Sequence, residues 1–125
     1  MIKPILMRFF MIAFLYSPLI ASATDGTQLY SACQDAEQYD STKRAQNPYG
    51  FGLCLGLLEG VNTMMQFRNE LLPRASRTCF PEQSFSLAQG VKIVMKYLRD
   101  NPEQHHEAAG YLILLAYEKA FPCKS

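Results

Sequence analysis

The chain has 125 residues, with twelve Lys and Arg against eleven Asp and Glu, a formal net charge of +1. A balance so close to neutral excludes the basic footprint of a nucleic-acid-binding protein. The length holds one domain and leaves no room for a second.

The first stretch reads as a secretory leader. Lys3 and Arg8 supply a positive n-region, Phe9 to Ile20 an apolar h-region of about a dozen residues, and Ala21-Ser22-Ala23 a small-x-small cleavage site. An uncleaved membrane anchor is disfavoured by the short apolar run and by Pro18. The expected organisation is a signal peptide over 1–23, cleaved after Ala23, and a helical domain over 24–125. Removing Lys3 and Arg8 from the twelve basic residues leaves ten against eleven acidic ones.

Thr24 to Tyr39 is predicted as a first helix, because Leu29, Ala32, Cys33 and Ala36 recur at helical spacing while Gln28, Gln34, Glu37 and Gln38 take the other side. Asp40 to Pro48 loses that period and reads as a solvated connection, its Lys43-Arg44 pair included. Gly50 to Phe67 is predicted as the central helix. Gly52, Gly56 and Gly60 fall every fourth residue and suggest a bare ridge for close approach of a partner helix, beside a stripe of Phe51, Leu55, Leu58, Val61 and Met65. Glu59 and Asn62 interrupt the run and argue against a membrane span. Pro73 ends this helix near Arg68 to Leu71, and Leu72 to Gln83 follows as a loop carrying Cys79.

Ser86 and Gln89 fit a capping box for a third, amphipathic helix with Leu87, Val91, Val94, Met95 and Leu98 inward and Lys92, Lys96 and Arg99 outward. Asn101-Pro102-Glu103 predicts the start of a fourth helix that runs to Ala120, with Asn101 as cap and Pro102 at its first position. That helix presents Ala108, Ala109, Leu112, Leu115 and Ala116 on one face and Tyr111, Ile113, Leu114 and Tyr117 on others, so it is buried on more than one side and part of it is expected to meet a second copy in a homodimer. Phe121-Pro122-Cys123 closes the chain.

The fold class expected is all-α: a compact four-helix bundle-like domain stapled by two disulfides. Cys33, Cys54, Cys79 and Cys123 all follow the leader, and an even number in a small exported chain reads as two bridges. Spacings of 21, 25 and 44 residues contain no C-x-x-C knuckle for zinc. An up-down-up arrangement favours Cys33 with Cys54 and Cys79 with Cys123, although three pairings are open. No cofactor is expected and no catalytic constellation is present. His105 and His106 are adjacent on a helical turn and point about 100 degrees apart, so they do not form an i, i+4 metal pair.

Cys54-Leu55-Gly56-Leu57-Leu58-Glu59-Gly60-Val61 resembles the C-x-G…G motif of the Rap/Tai-type immunity proteins, which protect bacteria from type VI secretion amidases. Cys79-Phe80-Pro81, Tyr97-Leu98, Asn101-Pro102-Glu103, Ala108-Ala109 and Ala116 to Cys123 follow in the same order, and the similarity covers Leu29 to Cys123. The resemblance implies a periplasmic, all-helical, dimeric protein that binds a peptidoglycan amidase effector and blocks its active site, without catalysis of its own. Carried onto this sequence, the projection that enters the amidase groove is Arg99, Asp100, Asn101, Pro102, Glu103, Gln104 and His105, supported by Lys92 and Lys96. Two other readings stand beside it: a small periplasmic chaperone of the acid-stress type, and a small-ligand carrier using Met64, Met65, Phe67 and Tyr111. None has the charge for nucleic acid, and none keeps a membrane segment once the leader is gone.

Overall fold

A computed structural model describes residues 23–83 and 85–124. The leader expected over 1–23 lies outside the described residues, except for Ala23. Among the described residues four helices carry the fold: α1 Gly26–Thr42, α2 Pro48–Leu71, α3 Leu87–Asp100 and α4 Ala109–Ala120. No helix among them is long and apolar enough to cross a membrane.

Each of the first three helices starts where a polar side chain satisfies a free amide. Asp25 accepts from the Gln28 amide (2.9 Å), Asn47 from Gly50 (3.1 Å) and Ser86 from Gln89 (3.2 Å). Helix α1 runs to Thr42, three residues past the predicted end, because the Thr42 hydroxyl bonds back to Gln38 and Lys43 closes the helix in a left-handed turn. Its predicted inner face is observed: Leu29, Ala32, Cys33 and Ala36 are buried. In α3, Val91, Val94, Met95 and Leu98 are buried and Leu87 packs half-buried against them.

Two expectations are overturned. The Gly52, Gly56 and Gly60 ridge does not receive a helix: a Cβ added at any of the three would meet nothing within 4 Å. The stripe expected beside it is observed, with Leu58 and Met65 buried and Phe51, Leu55 and Val61 packed against the core. Gly50 and Cys54 also face inward, and α1 crosses α2 at Gly50, where an added Cβ would come within 3.4 Å of the Ala32 Cα. The Cys33–Cys54 disulfide sits at that crossing, with its Cα atoms 5.1 Å apart.

The fourth helix begins at Ala109, not at Pro102. Pro102–Gln104 forms a short 3-10 turn, and the following residues pair with the start of the domain. Gly26 donates to the Glu107 carbonyl (3.0 Å), Thr27 to that of His105 (3.1 Å), and Ala109 donates to Thr24 (2.8 Å). Those long-range bonds take up the backbone groups that a continuous helix would use internally. Asn101 correspondingly does not cap: its amide donates to the Tyr97 carbonyl at 2.8 Å.

The second disulfide joins Cys79 to Cys123, Cα atoms 4.9 Å apart. It ties the chain end to the loop before α3, beside a bridge between Thr78 and Pro122. Asn69 of α2 grips Thr78 from both sides, accepting from its amide (3.0 Å) and donating to its carbonyl (2.6 Å). Phe80, Phe85, Tyr117 and Phe121 form an aromatic plug over this end, with ring centroids 5.1–6.5 Å apart. The structure therefore has the architecture expected, an all-helical four-helix domain closed by the Cys33–Cys54 and Cys79–Cys123 bridges.

Candidate functional site

The segment that joins α3 to α4, residues 101–108, turns back on itself as a hairpin that, with Arg99 at the end of α3, is held on three sides. Helix α1 provides the outermost hold. Its Glu37 carboxylate accepts twice from the Arg99 guanidinium, at 2.9 and 3.0 Å, in the bidentate geometry that suits these two groups. That bond pushes the Arg99 pKa up from its already high value.

Inside the hairpin, the Tyr97 hydroxyl donates to Gln104 Oε1 (2.9 Å). Partial burial pushes this phenol above its ordinary pKa, so it remains a neutral donor. His105 Nε2 donates to the Leu98 carbonyl at 2.8 Å, which assigns the proton to that nitrogen because a carbonyl can only accept. The same imidazole lies 5.6 Å from the Tyr30 ring of α1. The N-terminal strand-like pairing from Thr24 to Thr27 supplies the third hold.

Among the sequence-derived site residues, Asn101, Gln104 and His105 are thus half-buried and engaged in holding the hairpin, while Pro102 and Glu103 are exposed at its tip. His106 also faces outward, 3.3 Å from the Glu107 carboxylate. The two histidines point apart, and among the described residues no group of three or more His, Cys, Asp or Glu is placed to hold a metal ion.

The basic side of α3 is largely compensated. Lys92 lies 3.5 Å from Asp40, and Lys96 lies 2.6 Å from Asp100. The Asp40 carboxyl is held below the usual carboxylate range by its bond to Lys43 and by the charges of Lys43 and Lys92, and Asp100 likewise by its bond to Lys96. Met65 is fully buried whereas Met64, Phe67 and Tyr111 are exposed, so the side chains suggested for a ligand carrier are divided between core and surface.

Sequence reasoning missed the residues that position the hairpin. Thr24 and Gly26 carried no local signal. Glu37 looked like part of a wet face, and Tyr30 lay at the margin of an apolar stripe. Gly26 is required sterically: a Cβ there would fall 2.9 Å from the His105 backbone and 2.5 Å from Leu112. Asp35 is a further case, a buried carboxylate that accepts from the amides of Gln46 (2.8 Å) and Asn47 (3.2 Å) and so sets the angle at which α2 enters.

The model of the Rap1a immunity proteins matches residues 25–123. The chain belongs to that family. The matched region opens at Asp25, which pairs with Ala108 at the root of the hairpin, and closes at Cys123 of the second disulfide. In this Rap1a family member Cys54, Cys79 and Cys123 of the resembling motifs form the two bridges together with Cys33, and Asn101-Pro102-Glu103 forms the hairpin tip. No curated protein matches the chain, and no solved structure does.

Proposed function

We propose that this chain is an exported immunity protein that binds a peptidoglycan amidase effector of a type VI secretion system in the periplasm and occludes its active site. Membership of the Rap1a immunity proteins supports the immunity role. The observation that carries the occluding role is the hairpin, whose exposed tip at Pro102 and Glu103 stands on side-chain and backbone bonds from α1, α3 and the N-terminal segment. A projection already ordered in the free protein loses little conformational entropy on docking.

In this reading Pro102 and Glu103 enter the groove of the effector. Asn101, Gln104 and His105 hold them in place, and Lys92, Lys96, Arg99 and Asp100 form the flank. The protein acts by binding, not by catalysis. Its leader is removed after Ala23, which makes Thr24, whose carbonyl takes the Ala109 amide, the first residue of the mature domain. Two disulfides suit an oxidising compartment such as the periplasm. Apolar side chains exposed on α2 and α4, Met64, Phe67, Leu71 and Tyr111, support a homodimer.

The test is affinity capture from periplasmic and secreted fractions of the source bacterium, with the oxidised chain from Thr24 to Ser125 as bait. A Glu103→Arg variant runs beside it, because this substitution changes the tip without touching the bonds that hold the hairpin. Retention of a cell-wall amidase by the native bait and its loss by the variant is the expected result. Retention by both would move the contact away from the tip, and retention by neither would sink the amidase reading.

A further inference from the structure

Beside the hairpin, a cleft of about 400 Å³ opens between α3 and α4. Its floor is apolar, made by Ile93, Tyr97, Ala116 and Ala120. Lys96, Asp100 and Lys119 stand at its rim. Lys96 is held by Asp100 at 2.6 Å, but Lys119 has no carboxylate within 4.0 Å among the described residues. The Lys119 ammonium instead lies 5.7 Å from the centroid of the Tyr97 ring. The rim therefore carries two cations and one anion around an uncovered apolar floor.

We propose that this cleft is a docking subsite for an acidic peptide segment of the partner protein, in which an apolar side chain fills the floor over Tyr97 and a neighbouring carboxylate pairs with Lys119. The inference rests on the reading of the chain as an effector-binding protein and names a second contact for it. Charge complementarity selects the occupant. Asp100 offsets only part of the rim's positive charge, so a purely apolar side chain would leave the excess of Lys96 and Lys119 unmatched, and a basic segment would be repelled by it.

The shape selects a side chain delivered by a partner over a free small molecule. Ligand sites enclose roughly 70–90% of a small molecule, whereas here the Lys96 and Asp100 side chains are 74% and 45% exposed and the cleft lies open to solvent. The hairpin nearby carries Glu103 at its tip and Glu107 near its root, so acidic and basic contacts lie on adjoining parts of one surface. Opposite signs at two such points specify the orientation of a partner as well as its attraction.

The test is a chemical-shift titration of the isotope-labelled, oxidised protein with acetyl-Phe-Glu-amide, acetyl-Phe-Lys-amide and hexanoate. Saturable shifts centred on Ile93, Tyr97, Ala116 and Ala120 are expected with the acidic peptide. They should weaken at least fivefold in Lys119→Glu and vanish in Ala120→Trp, where the exposed alanine is replaced by a ring that fills the cleft. Absence of cleft-centred shifts, or equal binding of the lysine peptide, would overturn the proposal. Equal binding of hexanoate would also overturn it, by making the cleft a site for small carboxylates. With the captured amidase in hand, undiminished retention by Lys119→Glu would remove this subsite while leaving the immunity reading intact. Failure of the native bait to capture any amidase would remove the amidase reading itself.

Discussion

The amide of Ala109, the first residue of the last helix, donates to the carbonyl of Thr24 at 2.8 Å, across 85 positions of sequence. This bond and its neighbours from Gly26 and Thr27 decide where α4 begins and hold the hairpin before it. Gly26 tolerates no side chain, since an added Cβ would fall 2.9 Å from the His105 backbone. Gly26→Ala should therefore destabilise the protein by about 1–3 kcal/mol, as overpacking does. It should also speed hydrogen exchange at Thr27 and Ala109 more than at the α2 core. Equal acceleration at both places would show that the N-terminal pairing does not act as a separate hold.

Glu37 and Arg99 give a second, weaker hold. Their side chains are 29% and 45% exposed, so screening by solvent keeps the pair to about 0.5–1 kcal/mol despite its bidentate geometry. Glu37→Gln should lower the urea midpoint slightly, and the exchanged pair Glu37→Arg with Arg99→Glu should recover most of that loss. A double-mutant cycle with no coupling between the two positions would count against the contact.

Among the described residues Tyr117 is the largest fully buried side chain, and its hydroxyl has no hydrogen-bond partner among them. Tyr117→Phe should raise stability by about 1 kcal/mol, because a buried polar group without a partner is removed while the ring remains. Burial, with a smaller contribution from Glu59, pushes the phenol from 10.0 up to about 12. The unfolded phenol ionises first, so the stability held below pH 10 is lost as the pH rises through the folded value, by about 3 kcal/mol in all. The alkaline unfolding limb should flatten in Tyr117→Phe, which a urea series at several alkaline pH values reads directly.

Acid behaviour separates the immunity reading from an acid-stress chaperone. Asp40 and Asp100 sit below their ordinary value of 3.8 because Lys43 and Lys96 bond to them. A depressed carboxyl contributes stability that is complete above its unfolded pKa and is lost as the pH falls through the lower folded one. The urea midpoint should hold steady between about pH 7 and 5 with respect to these two groups and decline only below about pH 4. With both disulfides closed, apolar-dye binding should stay low near pH 3. A large gain there would favour the chaperone.

The elements whose chemistry is local were legible in the residues. The inner faces of α1 and α3 follow from apolar spacing against a clear polar side. The all-helical class, the two bridges and the family resemblance follow from periodicity, cysteine number and motif order. On α2 the apolar stripe was legible, since Leu58 and Met65 are buried and Phe51, Leu55 and Val61 pack against the core. The glycine ridge was not, because four-residue spacing does not say which side a partner helix takes, and packing against Ala32 and Cys33 selected Gly50 and Cys54 instead. The start of α4 was misjudged because Asn101-Pro102 is a good local helix signal that three long-range backbone bonds overrode. The candidate site shows the same division. Local sequence placed Pro102 and Glu103 in a stiff turn, but only the tertiary structure brought Glu37, Tyr30 and Thr24 to that turn and set Lys119 across a cleft from Lys96, since each of those contacts joins residues far apart in the chain.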